Sequence, residues 1–323
     1  MNCAVTDIRP DAPGHYMLRL RKYADQPLTV DGSVYDAVHH IFLQSYQQFT
    51  RAFPAYPQNR QSIHLYPGGG FLPHNTRYAR YARYAIHPDV LLFPTQAFTV
   101  DYVATFFPNN TALPVFGGPF VSRGVAPVKK PRHVDLQPLT VCFTSLGVVI
   151  DKGADHYLQI AELFATTYPA DNVIFLGVGI VPPSPAVAHL RAMPQTALDA
   201  FYQQTVDIMF NLDRTDCEHG WPLGTEGLVK GAVLFSTDLH NMNERNGYRF
   251  GEEVFIVNET HMNRTVDQLH AYYEDRDMLH RHSLAGQHRA HHLFGFDKQM
   301  RVVLGAIDER VDGLLNRNRS TLP

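Results

Sequence analysis

Cysteine is scarce: three residues in 323, Cys3, Cys142 and Cys217, odd in number, far apart and without a CxxC pair. That argues against a disulfide framework and a cysteine-based zinc site, and points to a reducing compartment. Charge of one sign is also lacking. Lys plus Arg number 28 against 31 Asp plus Glu, and a net charge of −3 gives no global basic field of the kind nucleic-acid binders carry. No nucleic-acid partner is expected. No stretch approaches the ~20 apolar residues of a membrane span, and the first thirty residues hold Asp, Pro and Arg where a signal peptide needs an apolar run. The expectation is a cytoplasmic protein. Peripheral contact with the inner membrane face stays open, because it needs only a surface patch.

What is present is globular. Hydrophobic residues make up 45% and charged residues 18%, and the length suits about two domains of ~150 residues. From about residue 60, short β-branched runs alternate with amphipathic segments, the rhythm of parallel α/β units. Strands are expected at Ser62–Tyr66, Val90–Pro94, Ala112–Phe116, Leu139–Thr144, Asn172–Val178, Val206–Leu212, Ala232–Thr237 and Glu253–Val257. Helices are expected at Asn75–Ala85, Phe98–Phe107, Ala154–Tyr168, Gln195–Gln204, Thr225–Lys230 and Val266–Asp275, with another near Val34–Arg51 and a last one at Phe296–Leu315. The stretch Ser122–Pro138 has three prolines, four basic residues and no periodicity, and reads as a linker. The organisation is therefore an abbreviated N-terminal domain (1–121), a linker (122–138), a better-formed domain (139–300) and a C-terminal helix and tail (301–323).

The sharpest local feature is 211–238, NLDRTDCEHGWPLGTEGLVKGAVLFSTD, where a strand ends in polar residues and a Gly/Pro-rich loop leads to a short helix and another strand. Strand ends are where α/β sheets bind ligands. Glu218 and Glu226 lie eight positions apart, one in the loop and one in the first helical turn. Carboxylates there can accept hydrogen bonds from sugar hydroxyls, while loop amides and a helix start offer dipole ends to a phosphate.

Glu218-x(7)-Glu226 in this setting resembles the signature of retaining GT-B glycosyltransferases, particularly glycosyltransferase family 4 (group 1). The flanks strengthen it: 141–179, VCFTSLGVVIDKGADHYLQIAELFATTYPADNVIFLGVG, looks like that family's opening strand, Lys-Gly loop, long helix and second strand. The resemblance covers roughly residues 90–310. It implies two Rossmann-like α/β domains facing across a cleft. Residue by residue it implies that Lys152, followed by Gly153, holds the donor diphosphate. Glu218 with His219, Gly220, Trp221, Pro222 and Leu223 would take the transferred sugar, Glu226 the ribose hydroxyls, and Met193, Pro194 and Gln195 would lie against the base. One departure is Gly147, where the family has an Arg five residues before the Lys; Arg214 is the candidate replacement cation. In the loop HGWPLGT the proline falls one place earlier than the commonest family pattern.

In the N-terminal half, Gly68, Gly69 and Gly70 follow a strand, flanked by His64 and His74; the resemblance implies that one of the two histidines could face the sugar, and the alternative is that each is structural. A lone GGG is weak evidence for phosphate binding. The triplet RYARYARYA spaces Arg77, Arg80 and Arg83 three apart on a helical pattern, either a solvated face or a site for an anionic acceptor such as a lipid-linked phosphate. His280, His282, His288, His291 and His292 have no carboxylate partners in a fixed motif and read as a mixed helix surface rather than a metal site.

The expected activity is transfer of a sugar from a nucleotide-diphosphate-sugar donor to a glycan or lipid-linked acceptor, with retention of configuration and no metal or other cofactor. The alternative is a catalytically inactive GT-B-like subunit that binds nucleotide sugar or scaffolds a glycan-assembly complex, favoured by Gly147 and the thin first half. A third reading is an enzyme of the same architecture doing other chemistry, such as sugar-nucleotide epimerisation.

Overall fold

The computed structural model describes residues 3–12, 15–22, 37–40, 43–65, 86–95, 97–115, 137–145, 153–212, 223–237, 245 and 247–320. The chain divides into two units, Met1–Val115 with Arg301–Pro323, and Phe116–Met300.

The second unit is built on six parallel strands. In chain order, after five strands of the first unit, they are β6 (Leu139–Ser145), β7 (Val173–Gly179), β8 (Ala188–Leu190), β9 (Ile208–Asn211), β10 (Val233–Ser236) and β11 (Val254–Ile256). Their order in the sheet is β11-β10-β9-β6-β7-β8. Numbered within the unit this is 6-5-4-1-2-3, the order of doubly wound nucleotide-binding sheets. All seven residues of β6, LTVCFTS, are buried, because a central parallel strand is covered on both faces. Side chains alternate between those faces. Phe143, Phe210, Phe235 and Phe255 stand in register across four strands. They form an aromatic row under α3 (Ala154–Thr167) and α6 (Met262–Glu274), joined by Tyr157 and Tyr272. On the opposite face Cys142, Met209 and Leu234 pack with Leu198 and Tyr202 of α4 (Gln195–Gln204), Leu228 of α5 (Leu223–Val229) and Ala290 of α7 (Arg276–Phe294). Burying one such large side chain contributes ~1.5–3 kcal/mol, so the two layers supply most of this unit's stability.

In the first unit β1 (Cys3–Ala12) and β2 (His15–Lys22) form an antiparallel ribbon. A separate parallel sheet has the order β3 (Val38–His40), β4 (Gln61–Leu65), β5 (Leu91–Pro94). Its one face packs residues of α1 (Leu43–Ala52) and α2 (Ala97–Phe106). Its other face meets Val303 of α8 (Phe296–Ser320), the helix that begins in the second unit and ends in the first. Among the described residues no helix is long and apolar enough to cross a membrane.

Two expectations need correction. The helix read over Val34–Arg51 is a strand, β3, followed by a helix that starts only at Leu43; pairing of Val38–His40 with Gln61–Ile63 overrides the local helical pattern. The strand read at Ala112–Phe116 is reduced to one bridge, Leu92 to Ala112. The bond that is missing is the one from residue 94 to the Leu113 carbonyl, because Pro94 of β5 has no N–H to give, although the Val115 amide still donates to the Pro94 carbonyl at 2.9 Å. The β1–β2 ribbon and the three-residue β8 were not foreseen. The helix read at Asn75–Ala85 and most of the linker, 122–136, lie outside the described residues.

Candidate functional site

In a sheet of this order, β6 and β9 are the neighbours from which successive connections depart in opposite directions, and their carboxyl ends form the crevice where such sheets hold ligands. The chain leaves β6 after Ser145 and enters α3 at Ala154; it leaves β9 after Asn211 and enters α5 at Leu223. The sequence between the first pair contains Gly147 and Lys152, and between the second pair Arg214, Glu218, His219, Gly220, Trp221 and Pro222.

The two departures touch. Gly153, the residue before α3, has φ 70° and ψ 28°, in the left-handed region. A Cβ at this position would lie 2.2 Å from the Leu212 carbonyl oxygen and 2.6 Å from Leu212 Cβ. Only glycine satisfies both the dihedral and the space. The neighbour of Lys152 is thereby held against the first residue after β9.

The rim around this contact is polar and buried: Thr144, Ser145, Asn211, Ser236 and Thr237. Asn211 Nδ2 donates to Ser236 Oγ at 3.4 Å, Ser236 Oγ donates to the Thr237 carbonyl at 2.9 Å, and the Thr237 amide donates to the Asn211 carbonyl at 3.1 Å. Tyr202 Oη donates to Thr144 Oγ1 at 2.8 Å. Burial raises the Tyr202 phenol despite the Thr144 bond, and the Glu226 and Asp199 carboxylates add to the rise. Glu226 sits half-buried in the first turn of α5, where a carboxylate complements the helix dipole. The Cys142 thiol, fully buried, is pushed up to about 12 by desolvation and is no nucleophile at neutral pH.

Met193 packs partly buried against the α4 layer. Exposed Pro194 precedes α4, its carbonyl accepting the Ala197 and Leu198 amides at 3.0 Å each, and Gln195 opens the helix. These residues follow β8, so they leave the same carboxyl edge of the sheet as the β6 and β9 loops. The Lys152, Gly147, Arg214, Glu218, His219, Gly220, Trp221 and Pro222 positions lie outside the described residues, as do Gly68, Gly69, Gly70, His74 and Arg77. Leu223 opens α5.

In the first unit, His64 is one link in a buried chain. Ser62 Oγ and His39 Nδ1 share a hydrogen bond of 2.7 Å, and His39 Nε2 and His64 Nδ1 share one of 2.6 Å. Burial holds His64 at about 4, and burial together with His64 and His40 holds His39 well below the usual imidazole range. His39 and Ser62 escaped the sequence reading. Nothing local in VHHIF or QSIHL marks them as partners; their juxtaposition follows from the β3–β4 register.

No family model and no curated protein matches the chain. Solved structures do, at the level of fold. HepE of Anabaena, crystallised with UDP and glucose, superposes with a TM-score of 0.60 at 12% identity, covering 85% of this chain and 78% of its own. A G117R mutant of TarM of S. aureus, crystallised with fondaparinux, alpha-GlcNAc-glycerol and UDP, gives 0.59 at 10% identity, covering 80% of this chain and 53% of its own. The pneumococcal O-GlcNAc transferase GtfA, with UDP and GlcNAc, gives 0.57 at 10% identity, covering 82% and 55%. The chain thus spans about half the length of TarM and GtfA. Its fold is the α/β fold of GT-B glycosyltransferases, with Rossmann-like parallel sheets.

Proposed function

We propose that this protein is a glycosyltransferase that moves a sugar from a nucleotide-diphosphate donor to a glycan or lipid-linked acceptor with retention at the anomeric carbon. The observation that carries the reading is the contact of Gly153 with Leu212 at the switch point of a 3-2-1-4-5-6 sheet. It ties the residue after Lys152 to the start of the segment bearing Glu218, in a fold whose solved examples include one bound to UDP and glucose.

In this reading Lys152 and the start of α3 hold the donor diphosphate, Glu218 and the following loop amides hold the sugar, and Glu226 holds the ribose. The bond from the anomeric carbon to the diphosphate oxygen breaks, a bond from the acceptor oxygen forms on the same face, and the acceptor proton passes to the departing phosphate. Charge grows on the leaving diphosphate, so fixed positive groups there act where they matter most, and the reading asks for no metal in that place. Gly147 supplies no charge; Arg214 is positioned in the sequence to compensate.

The test is a thermal-shift screen of uridine, guanosine and adenosine diphosphate sugars, since a ligand that binds only the folded state raises its stability. The stabilising donor is then used in transfer assays, with the product anomer read by NMR. No stabilising donor at millimolar concentration sinks the proposal. Gly147 also favours a second reading, a donor-binding subunit without turnover; it is identified by a donor that binds while neither transfer nor donor hydrolysis is detected.

A further inference from the structure

At the amino-terminal edge of the six-stranded sheet, away from the loops discussed above, three metal-ligating side chains converge. Asp171 precedes β7, and His270 and Glu274 lie one turn apart on α6. One ligand atom from each lies within 4.8 Å of the other two. A spacing of four puts His270 and Glu274 on the same helix face. Asp171 reaches that face across 99 positions of sequence, with Oδ2 and His270 Nδ1 sharing a 2.7 Å hydrogen bond.

The imidazole is held in place. The Tyr168 ring stacks on it with centroids 3.9 Å and planes 6° apart, and Tyr168 Oη donates to Asp267 Oδ1 at 2.9 Å. The Asp171 side chain is 10% exposed and that of His270 32%, so the pair is shielded while Glu274 opens to solvent. Two carboxylates, Asp171 and Glu274, lie beside the imidazole, and a third, Asp267, accepts the hydroxyl of the stacked Tyr168. Among the described residues no Lys or Arg forms an ion pair with any of them. The local field therefore favours a cation.

We propose that Asp171, His270 and Glu274 bind one divalent transition-metal ion of the zinc class through one nitrogen and two carboxylate oxygens, water completing the shell. The imidazole separates this set from calcium and magnesium sites, which take oxygen alone. The 2.7 Å hydrogen bond between His270 Nδ1 and Asp171 Oδ2 holds one proton between the two groups. Ligand atoms on a tetrahedral zinc stand about 3.3 Å apart, from metal–ligand distances of ~2.0 Å. Binding thus requires that the proton leave and the pair open by a few tenths of an ångström. The ion clips the turn before β7 to the end of α6, a structural role at the edge opposite the proposed donor site.

The full chain, stripped with EDTA and dialysed, is titrated with CoCl2, followed by its visible absorption, and with ZnCl2 or MgCl2 in thermal unfolding. The expected result is one cobalt or zinc per chain and an unfolding temperature raised by about 5–10 °C at a hundredfold excess over the dissociation constant. Glu274→Gln, an exposed change that leaves the Tyr168 stack alone, should weaken binding at least about tenfold, as even outer-sphere partners cost that much. His270→Gln should abolish it. A control with His288→Gln and His292→Gln, both exposed, should bind as the wild type does. The proposal is overturned if the wild type binds no stoichiometric zinc or cobalt, if magnesium gives the same shift, or if Glu274→Gln retains wild-type affinity. The last variant decides the matter even if His270→Gln fails to fold.

Discussion

Gly153 and Leu212, 59 positions apart in sequence, touch so closely that the space for a Cβ on the first is already filled by the carbonyl oxygen of the second, 2.2 Å away. The contact needs a positive φ of 70° and the absence of a side chain at once. An L-residue in that conformation costs about 1–2 kcal/mol, and forced overpacking a further ~1–3 kcal/mol. Gly153→Ala should therefore lower the stability of the second unit by roughly 2–5 kcal/mol in urea unfolding. Gly305→Ala, in open space on α8, should instead stabilise by about 0.5–1 kcal/mol. Similar small effects at both positions would show that α3 and the β9 exit are not locked together.

If the donor assignment holds, Glu226→Ala should mainly raise KM for the donor, because ribose hydrogen bonds are made alike in ground and transition states. Glu218→Ala should mainly lower kcat. One lost charge-assisted hydrogen bond is worth roughly 1.5–3 kcal/mol, or about ten- to a hundred-fold. Steady-state kinetics of both variants with the donor found by screening checks this. Equal and negligible effects would withdraw the roles given to the pair.

How legible this was depends on the range of the interaction. The strands β6, β7, β9 and β10 announce themselves as apolar runs such as LTVCFTS, buried on both faces and bounded by turn residues. The helices between them carry their own periodicity. β8 has only three residues, close to Pro182, Pro183 and Pro185, too few for any pattern. The helix read across Val34–Arg51 failed where a non-local ladder with β4 decided the conformation. Site relationships fared the same way. Gly153 stands just before the helix expected at Ala154–Tyr168, but its reason, Leu212, leaves no local trace, and neither does the His39–His64 bond or the convergence of Asp171 with His270.

The buried histidines of the first unit predict acid sensitivity. Burial lowers His40 to about 4 although its Nε2 bonds Gln61 Oε1 at 3.0 Å, and it lowers His64 to about 4 as well. The unfolded chain, with imidazoles near 6.5, binds protons before the folded one does, so stability is complete above ~6.5 and is lost as pH falls toward 4. His40 alone accounts for something on the order of 3 kcal/mol across that window. Urea midpoints measured from pH 7.5 to 4.5 should fall for the transition of this unit, and the fall should be shallower in His40→Leu, whose stability at pH 7.5 is also lower. A flat profile in the wild type would mean these imidazoles are solvated rather than buried.

Glu253 supplies the last test. Its side chain is 3% exposed, yet it is well partnered: it accepts the Arg249 amide at 2.8 Å and the Arg249 guanidinium at 3.0 and 3.1 Å, and Arg289 Nε stands 3.6 Å away. Arg289 Nε also donates to the Gly247 carbonyl at 2.7 Å, so one carboxylate joins the 247–253 turn, the start of β11 and α7. Removing one member of such a buried set leaves the others desolvated and uncompensated, which costs about 3–5 kcal/mol, whereas removing both charges costs less than the sum. Glu253→Gln should destabilise the second unit by several kcal/mol, and adding Arg289→Met should recover part of that loss. A coupling energy of roughly 1–3 kcal/mol from the double-mutant cycle is the expected outcome. Strict additivity would mean that Arg289 is held by Gly247 alone, with Arg249 and the backbone amide neutralising Glu253 by themselves.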